Sequence, residues 1–383
     1  MSDQSNGLRS PVHYPPLDGV RGTAILLVMM LHLMVTVPSN PVQAFMHGGA
    51  EFGWAGVDLF FVLSGFLITG ILIDTVGSKT YFSRFYIRRI ARIFPLFYGL
   101  AIFSFLILPS LPYLPPEKLA RYGTVGDDQI LYWVFLSNFA IAKAGVFRHG
   151  IMDVTWSLSI EEQFYLTWPF VVMLFRDRLV AVCAILFALS LGLRLYAVQQ
   201  GWNYNAIYVL PYLRLEGLAT GAIVATLVRN ETLKARLPVW FRNAGLFGMV
   251  GFVASALADG TFMYYDAPTV TGLGFSFLAL MFGGLVGYVY VRPSSGGARF
   301  FSGRFLGFIG KISFALYLFH LPIRAAVRDL WLTPQWINTT PLFGVSGQVL
   351  FYIVSGGIAI LVSWLSYHLY EKHFLEWGRR LTS

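Results

Sequence analysis

Residues 53–76 read GWAGVDLFFVLSGFLITGILIDTV, with Asp58 the one ionisable side chain before the polar exit at Asp74. As a helix this run rises about 36 Å, enough to cross the ~30 Å hydrocarbon core of a bilayer. It is apolar on every side, a texture found in membranes or in the cores of large proteins. The texture recurs to either side, at 18–37, 93–109, 156–175, 179–198, 204–228, 240–258, 268–291, 305–323 and 347–370. Of the 383 residues 56% are hydrophobic and 12% charged, against about 25% charged in an ordinary soluble domain. The expected fold is all-α: a polytopic transmembrane bundle of about ten spans, forming one membrane-embedded domain over 1–383 with 1–17 as a cytoplasmic tail.

Charge placement orients the bundle. A further apolar stretch, 129–142, falls short of the ~17 residues a span needs and carries Gln129 and Asn138. If it lies on or dips into the outer face, Lys and Arg divide as 20 inside and 6 outside, with Arg194 and Arg214 within spans. If it crosses, the asymmetry reverses against the positive-inside rule. The first arrangement is therefore expected, with both termini cytoplasmic. Outer loops 38–52, 199–203 and 259–267 carry no Lys or Arg. The net charge of +9 is thus explained by topology and calls for no nucleic-acid partner. Without a basic segment leading into a cleavable apolar core, the first span reads as a retained signal anchor. The lone Cys183 makes neither an intrachain disulfide nor a CxxC metal site.

Ionisable groups inside spans are costly and mark pathways or reaction sites. His32 lies in LLVMMLHLMV, eleven residues after Arg21. On a helix that interval is about 16 Å, with both side chains on nearly one face, and Asp18 shares it at i−3 from Arg21. A core histidine hydrogen-bonded to a neighbouring helix is an equal alternative for His32. In FYIRRIARIFP (85–95), Arg88, Arg89 and Arg92 head the third span. Positive-inside anchoring explains any one of them. The chain nevertheless holds 22 Arg and 6 Lys, a bias that favours forked recognition of phosphate. In TWSLSIEEQFYL (155–166), Glu161 and Glu162 point about 100° apart, so one of them faces a given cavity. Ser157 stands at i−4 from Glu161, and helix capping is the plain alternative for it. Asp58, Arg214 and Glu216 are further intramembrane charges, the last two suited to neutralising neighbours. His320, at the outer end of its span, suits a hydrogen bond to interfacial water. Gly217 and Gly221, four apart, suit a close helix contact. No GxSxG, HExxH or Walker A motif occurs, and no residues show metal-ligand spacing.

Seven segments together resemble the acyltransferase-3 family of integral-membrane acyltransferases. They are LDGVRGTAILLVMMLH (17–32), GVDLFFVLSGFLIT (56–69), FSRFYIRRIARIFPLFY (82–98), TWSLSIEEQFYL (155–166), RLEGLATG (214–221), KISFALYLFHLPI (311–323) and SYHLYEKHF (366–374). Arg21 and His32 fit its arginine, ten-spacer, histidine pattern; Arg89 and Arg92 fit its RxxR, and Glu161 its glutamate after WSLS. The resemblance implies transfer of an acyl group, usually acetyl from acetyl-CoA, to a hydroxyl of a cell-envelope glycan or lipid-linked saccharide. Some members carry an appended esterase-like domain; this chain resembles the stand-alone ones, and a separate partner for the final step is left open.

The expected function is therefore membrane-bound O-acyl transfer in a bacterial inner membrane. Acyl-CoA is the co-substrate, with no tightly bound cofactor and no metal. His32 is expected as the base or acyl relay, and Glu161 to orient the acceptor or the histidine from the outer side. Arg21, Arg88, Arg89 and Arg92 are expected to bind acyl-CoA phosphates. Asp18, Asp58, Ser157, Glu162, Arg214, Glu216 and His320 are expected to support the site or the acceptor. The rival reading is a proton-coupled transporter or flippase of an envelope precursor.

Overall fold

The computed structural model describes residues 14–36, 38, 40–111, 126, 128–260, 264–340 and 344–382. Residues 1–13 of the expected tail lie outside them. The regular secondary structure among the described residues is all helical. Twelve of its helices are numbered: α1 (Pro15–His32), α2 (Ala55–Thr75), α3 (Tyr81–Ile102), α4 (Thr155–Phe175), α5 (Leu179–Gln199) and α6 (Leu215–Leu227). They continue as α7 (Leu237–Ala258), α8 (Phe275–Val291), α9 (Arg304–Lys311), α10 (Ser313–Leu330), α11 (Val345–Ser366) and α12 (Lys372–Arg380).

Six helical stretches among the described residues are long and apolar enough to cross a membrane. A seventh is added if α9 and α10, bent by 75°, form one span. The chain is thus a multi-pass α-helical membrane bundle. Several of the expected ten spans take a different form. The run 204–228 is broken into a short helix Tyr204–Val209, a turn at Pro211–Leu213, and α6. Pro211 supplies no N–H and disfavours helix in the residue before it, and Leu210 is extended there. The runs 156–175 and 179–198 belong to one helical stretch, Gly150–Gln199, interrupted by a tight turn at Arg176–Arg178. The stretch 129–142 forms two short helices, Gln129–Trp133 and Ser137–Ala144, separated around Phe135 with φ 56°. Five and eight residues are too short to cross.

The placement of α1 matters most for function, and both its ends are fixed. Near its start, a Cβ on Gly310 would fall 1.8 Å from the Asp18 carbonyl oxygen, so only glycine lets α9 lie this close. Beyond its far end, the buried Gln348 amide of α11 accepts from the N–H groups of Val35 (3.1 Å) and Thr36 (3.2 Å) and donates to the Leu33 carbonyl (2.9 Å). The α2–α6 contact is equally tight. A Cβ on Gly221 would stand 2.1 Å from the Val62 carbonyl oxygen, which is the close approach that the Gly217/Gly221 spacing predicts.

The intramembrane charges find partners on other helices. Arg214 pairs with Asp58 at 2.8 Å and lies 3.8 Å above the Phe275 ring. Arg194 pairs with Glu216, and Ser190 and Ser276 donate to the same carboxylate at 2.7 and 2.9 Å. Charges buried in low dielectric persist only when paired and hydrogen-bonded. The neutralising role open to Arg214 and Glu216 is what the fold displays.

Candidate active site

A cavity of about 680 Å³ opens among α1, α2, α3, α4 and α10, within the range of small-molecule and cofactor sites. Arg21 from α1 and Arg89 and Arg92 from α3 line it together. The i,i+3 spacing of Arg89 and Arg92 brings both onto one face of α3. Arg21 lies 3.8 Å from Asp18, and Arg229 closes a bidentate pair with Asp74 at 2.6 and 2.7 Å. Arg89 and Arg92 make no ion pair with any described residue; the Arg89 guanidinium stands 6.0 Å over the Tyr165 ring. Two guanidinium forks without a direct ion pair therefore share one cavity. The wall beyond them is apolar, with Phe60, Phe61, Leu67 and Phe314.

Glu161 enters the same cavity, where its carboxylate accepts the Ser64 hydroxyl and Tyr165 donates to Ser64 at 3.2 Å. Glu161 is expected to orient the acceptor or His32 from the outer side; the structure places it in the cavity lining with Arg21, Arg89 and Arg92, away from His32. Glu162 is not part of the cavity lining, and one of its carboxylate oxygens is buried without a protein partner. Arg88 also departs from expectation. Its Nε donates to Thr382 beside α12 at 2.9 Å, outside the cavity lining. Asp58, Arg214 and Glu216 belong to the ion-pair core described above, and none of them lines the cavity.

The cavity ends at Ser157 and Tyr317, whose hydroxyls meet at 2.6 Å; Tyr317 also bonds the Val154 carbonyl at 2.9 Å. On the other side of Tyr317, at 5.9 Å between ring centroids, stands His320. His320 is fully buried and does not face interfacial water as expected. Its Nε2 lies 2.8 Å from Nδ1 of His32, with the two rings stacked at 5.0 Å. The protons can be placed by elimination. Nδ1 of His320 lies 3.1 Å from the Leu316 carbonyl, which can only accept, so that nitrogen carries a proton. A neutral His320 then offers Nε2 as acceptor to the Nδ1–H of His32. Nε2 of His32 is left with its lone pair free. This is a base oriented by a second group, the arrangement of an activated catalytic histidine.

Sequence reasoning did not single out Ser64, Tyr165, Tyr317 or the Arg229–Asp74 pair. Tyr165 at i+4 from Glu161 and Tyr317 at i−3 from His320 were open to discovery by helical spacing. Ser64 and Arg229 answer to partners on other helices and leave no local signal. Among the described residues, no three His, Cys, Asp or Glu side chains gather as a metal site.

Comparison with protein families matches residues 15–368 to the acyltransferase domain of the acyltransferase-3 family. The chain belongs to that family. It is 30% identical over 386 residues to "Putative peptidoglycan O-acetyltransferase YrhL" of Bacillus subtilis (strain 168), covering 96% of this chain and 56% of that protein. It is 28% identical over 385 residues to "O-acetyltransferase OatA" of Staphylococcus aureus (strain NCTC 8325 / PS 47), covering 96% and 58%. The chain thus spans a little over half the length of the curated relatives it matches. No solved structure matches it. The residues that carry the resemblance to the acyltransferase-3 family sort onto one path: Arg21, Arg89, Arg92 and Glu161 at the cavity, and His32 beyond its end.

Proposed function

We propose that this chain is an O-acetyltransferase of a bacterial inner membrane that moves acetyl from acetyl-CoA to a hydroxyl of an envelope saccharide. The observation that carries the reading is the pair of guanidinium groups without an ion pair, Arg89 and Arg92, facing a cavity whose Tyr317 stands beside His320, the ring bonded to His32. Arg89, Arg92 and Arg21 hold the donor's phosphates by charge-assisted forked hydrogen bonds. The apolar wall takes the donor's arm, and Glu161 with Ser64 offers polar contacts for its amides. About 16 Å of α1 separates Arg21 from His32, so Tyr317 must swing aside for the thioester to arrive.

At the histidine the proton account is simple. Nε2 of His32 removes the proton of the acceptor hydroxyl while its oxygen forms the new C–O bond to the acetyl carbonyl. The C–S bond breaks, and the departing thiolate takes the proton back from the imidazolium. His320 stabilises that cation by accepting its Nδ1–H throughout. Transfer through an acetyl group held on His32 has the same overall balance. The names of the two relatives support acetyl as the group and, for one of them, peptidoglycan as the acceptor. Transfer to the final acceptor through a separate partner is compatible with the same site.

The test compares envelope saccharides and lipids by mass spectrometry from cells lacking the protein, expressing it, or expressing His32→Ala at matched membrane levels. A base-labile acetyl increment confined to the active form is the expected result. An unchanged covalent inventory, with a saccharide shifted between compartments, would turn the reading to transport.

A further inference from the structure

At the opposite end of α1 from the arginine cavity lies a second hollow of about 390 Å³, lined by Val35, Arg324, Arg328, Asp329, Thr333 and Gln335 among others. It is built on the two strands of chain that carry the histidines. Val35 follows His32 by three residues, and Arg324 follows His320 by four, one helical turn onward on the same face of α10. The two arginines of the hollow differ. Arg328 is bound to Asp329 through two contacts of 2.6 and 3.2 Å, which cancel its charge. Arg324 makes no ion pair or hydrogen bond with any described residue, and its Nε is buried without a partner. That N–H has no protein partner and is free to donate to an oxygen brought into the hollow.

We propose that this hollow is the acceptor subsite, and that Arg324 grips a carboxylate or phosphate carried by the acceptor near the hydroxyl that His32 deprotonates. The inference rests on the reading of His32 as the base. A guanidinium fork matches either oxyanion with two parallel hydrogen bonds. The hollow has room for a sugar ring, and the far-end position gives donor and acceptor separate entrances that converge on the histidine pair. Specificity for an acidic saccharide follows, because a neutral one leaves the buried Nε unmet.

Binding tests the subsite independently of catalysis. Protein in lipid nanodiscs, carrying Arg89→Ala and Arg92→Ala so that the donor cavity does not compete for anions, is titrated with three probes. These are chitotetraose (neutral), a hyaluronan tetrasaccharide (carboxylates) and N-acetylglucosamine 1-phosphate (phosphate). One or both anionic probes are expected to bind about tenfold or more tighter than the neutral one. The stronger of the two identifies the acidic group. Adding Arg324→Ala is expected to erase the difference, and Arg324→Lys to restore part of it without altering the fold. Equal binding of all three probes, or a preference that survives Arg324→Ala, overturns the subsite. Selective binding with no acetyl moved from acetyl-CoA by the otherwise unsubstituted protein keeps Arg324 as an oxyanion-binding group and overturns the O-acetyltransferase reading together with the acceptor role of the hollow.

Discussion

The two histidines do different work. Nε2 of His32 is the free base, whereas His320 has both nitrogens engaged, one by Leu316 and one by His32. Replacing His32 with Ala is therefore expected to abolish acetyl transfer while membrane levels hold. His320→Ala should lower kcat by about 10²-fold or more, the low end of what an oriented base contributes. The donor KM should stay near its original value, because His320 is no part of the donor cavity. His320→Gln, whose side-chain oxygen can still accept from His32, should recover part of the rate. Steady-state kinetics with labelled acetyl-CoA separates these outcomes. Arg89→Ala and Arg92→Ala should each raise the donor KM about tenfold, the worth of one charge-assisted hydrogen bond. Arg88→Ala should leave that KM unchanged, since Arg88 serves Thr382.

At the scale of the helices, two contacts decide whether the site assembles. Gly310→Ala forces α9 away from α1 and should cost about 1–3 kcal/mol, the usual penalty of overpacking. The cost should read as a lower midpoint of thermal unfolding in detergent. Asp58→Ala strands Arg214 in the core and should cost about 3–5 kcal/mol, whereas Asp58→Leu combined with Arg214→Met should recover most of it. The helices themselves were legible in the sequence because apolar runs of spanning length leave a chain few alternatives. Their breaks were less so: the loss of one continuous span at 204–228 follows from Pro211, which hydropathy alone passes over. The same division holds at the site. Arg21, Asp18 and His32 share a helix, and Arg89 with Arg92 another, so periodicity alone finds each set. The His32–His320 bond joins positions 288 residues apart, and the Ser64–Glu161 bond positions 97 apart. No local pattern encodes a partner on another helix, so neither the Ser64 partner of Glu161 nor the His32 partner of His320 can be read from spacing.

For the whole molecule, the two hollows lie at opposite ends of α1, and under the orientation expected from loop charge the arginine cavity would face the cytoplasm. Single cysteines at Lys234 and Trp202 provide a check. Cys183 is buried and needs no replacement. A membrane-impermeant maleimide applied to intact cells should label Trp202→Cys and spare Lys234→Cys until the membrane is opened. The reverse pattern would falsify the orientation and with it a cytoplasmic donor.

Pinned by α9 at its start and by Gln348 just past its end, α1 cannot slide or turn, and so it works as a ruler. In the proposed reaction, the eleven-residue interval from Arg21 to His32 would set how far a thioester reaches from its phosphates. One inserted residue would swing the histidine about 100° off its partner and push it 1.5 Å further away. Seven would bring it back to nearly the same face but about 10 Å too far. Gauge, then, is a property this helix cannot trade, and a donor with a shorter arm would bind in full and never react.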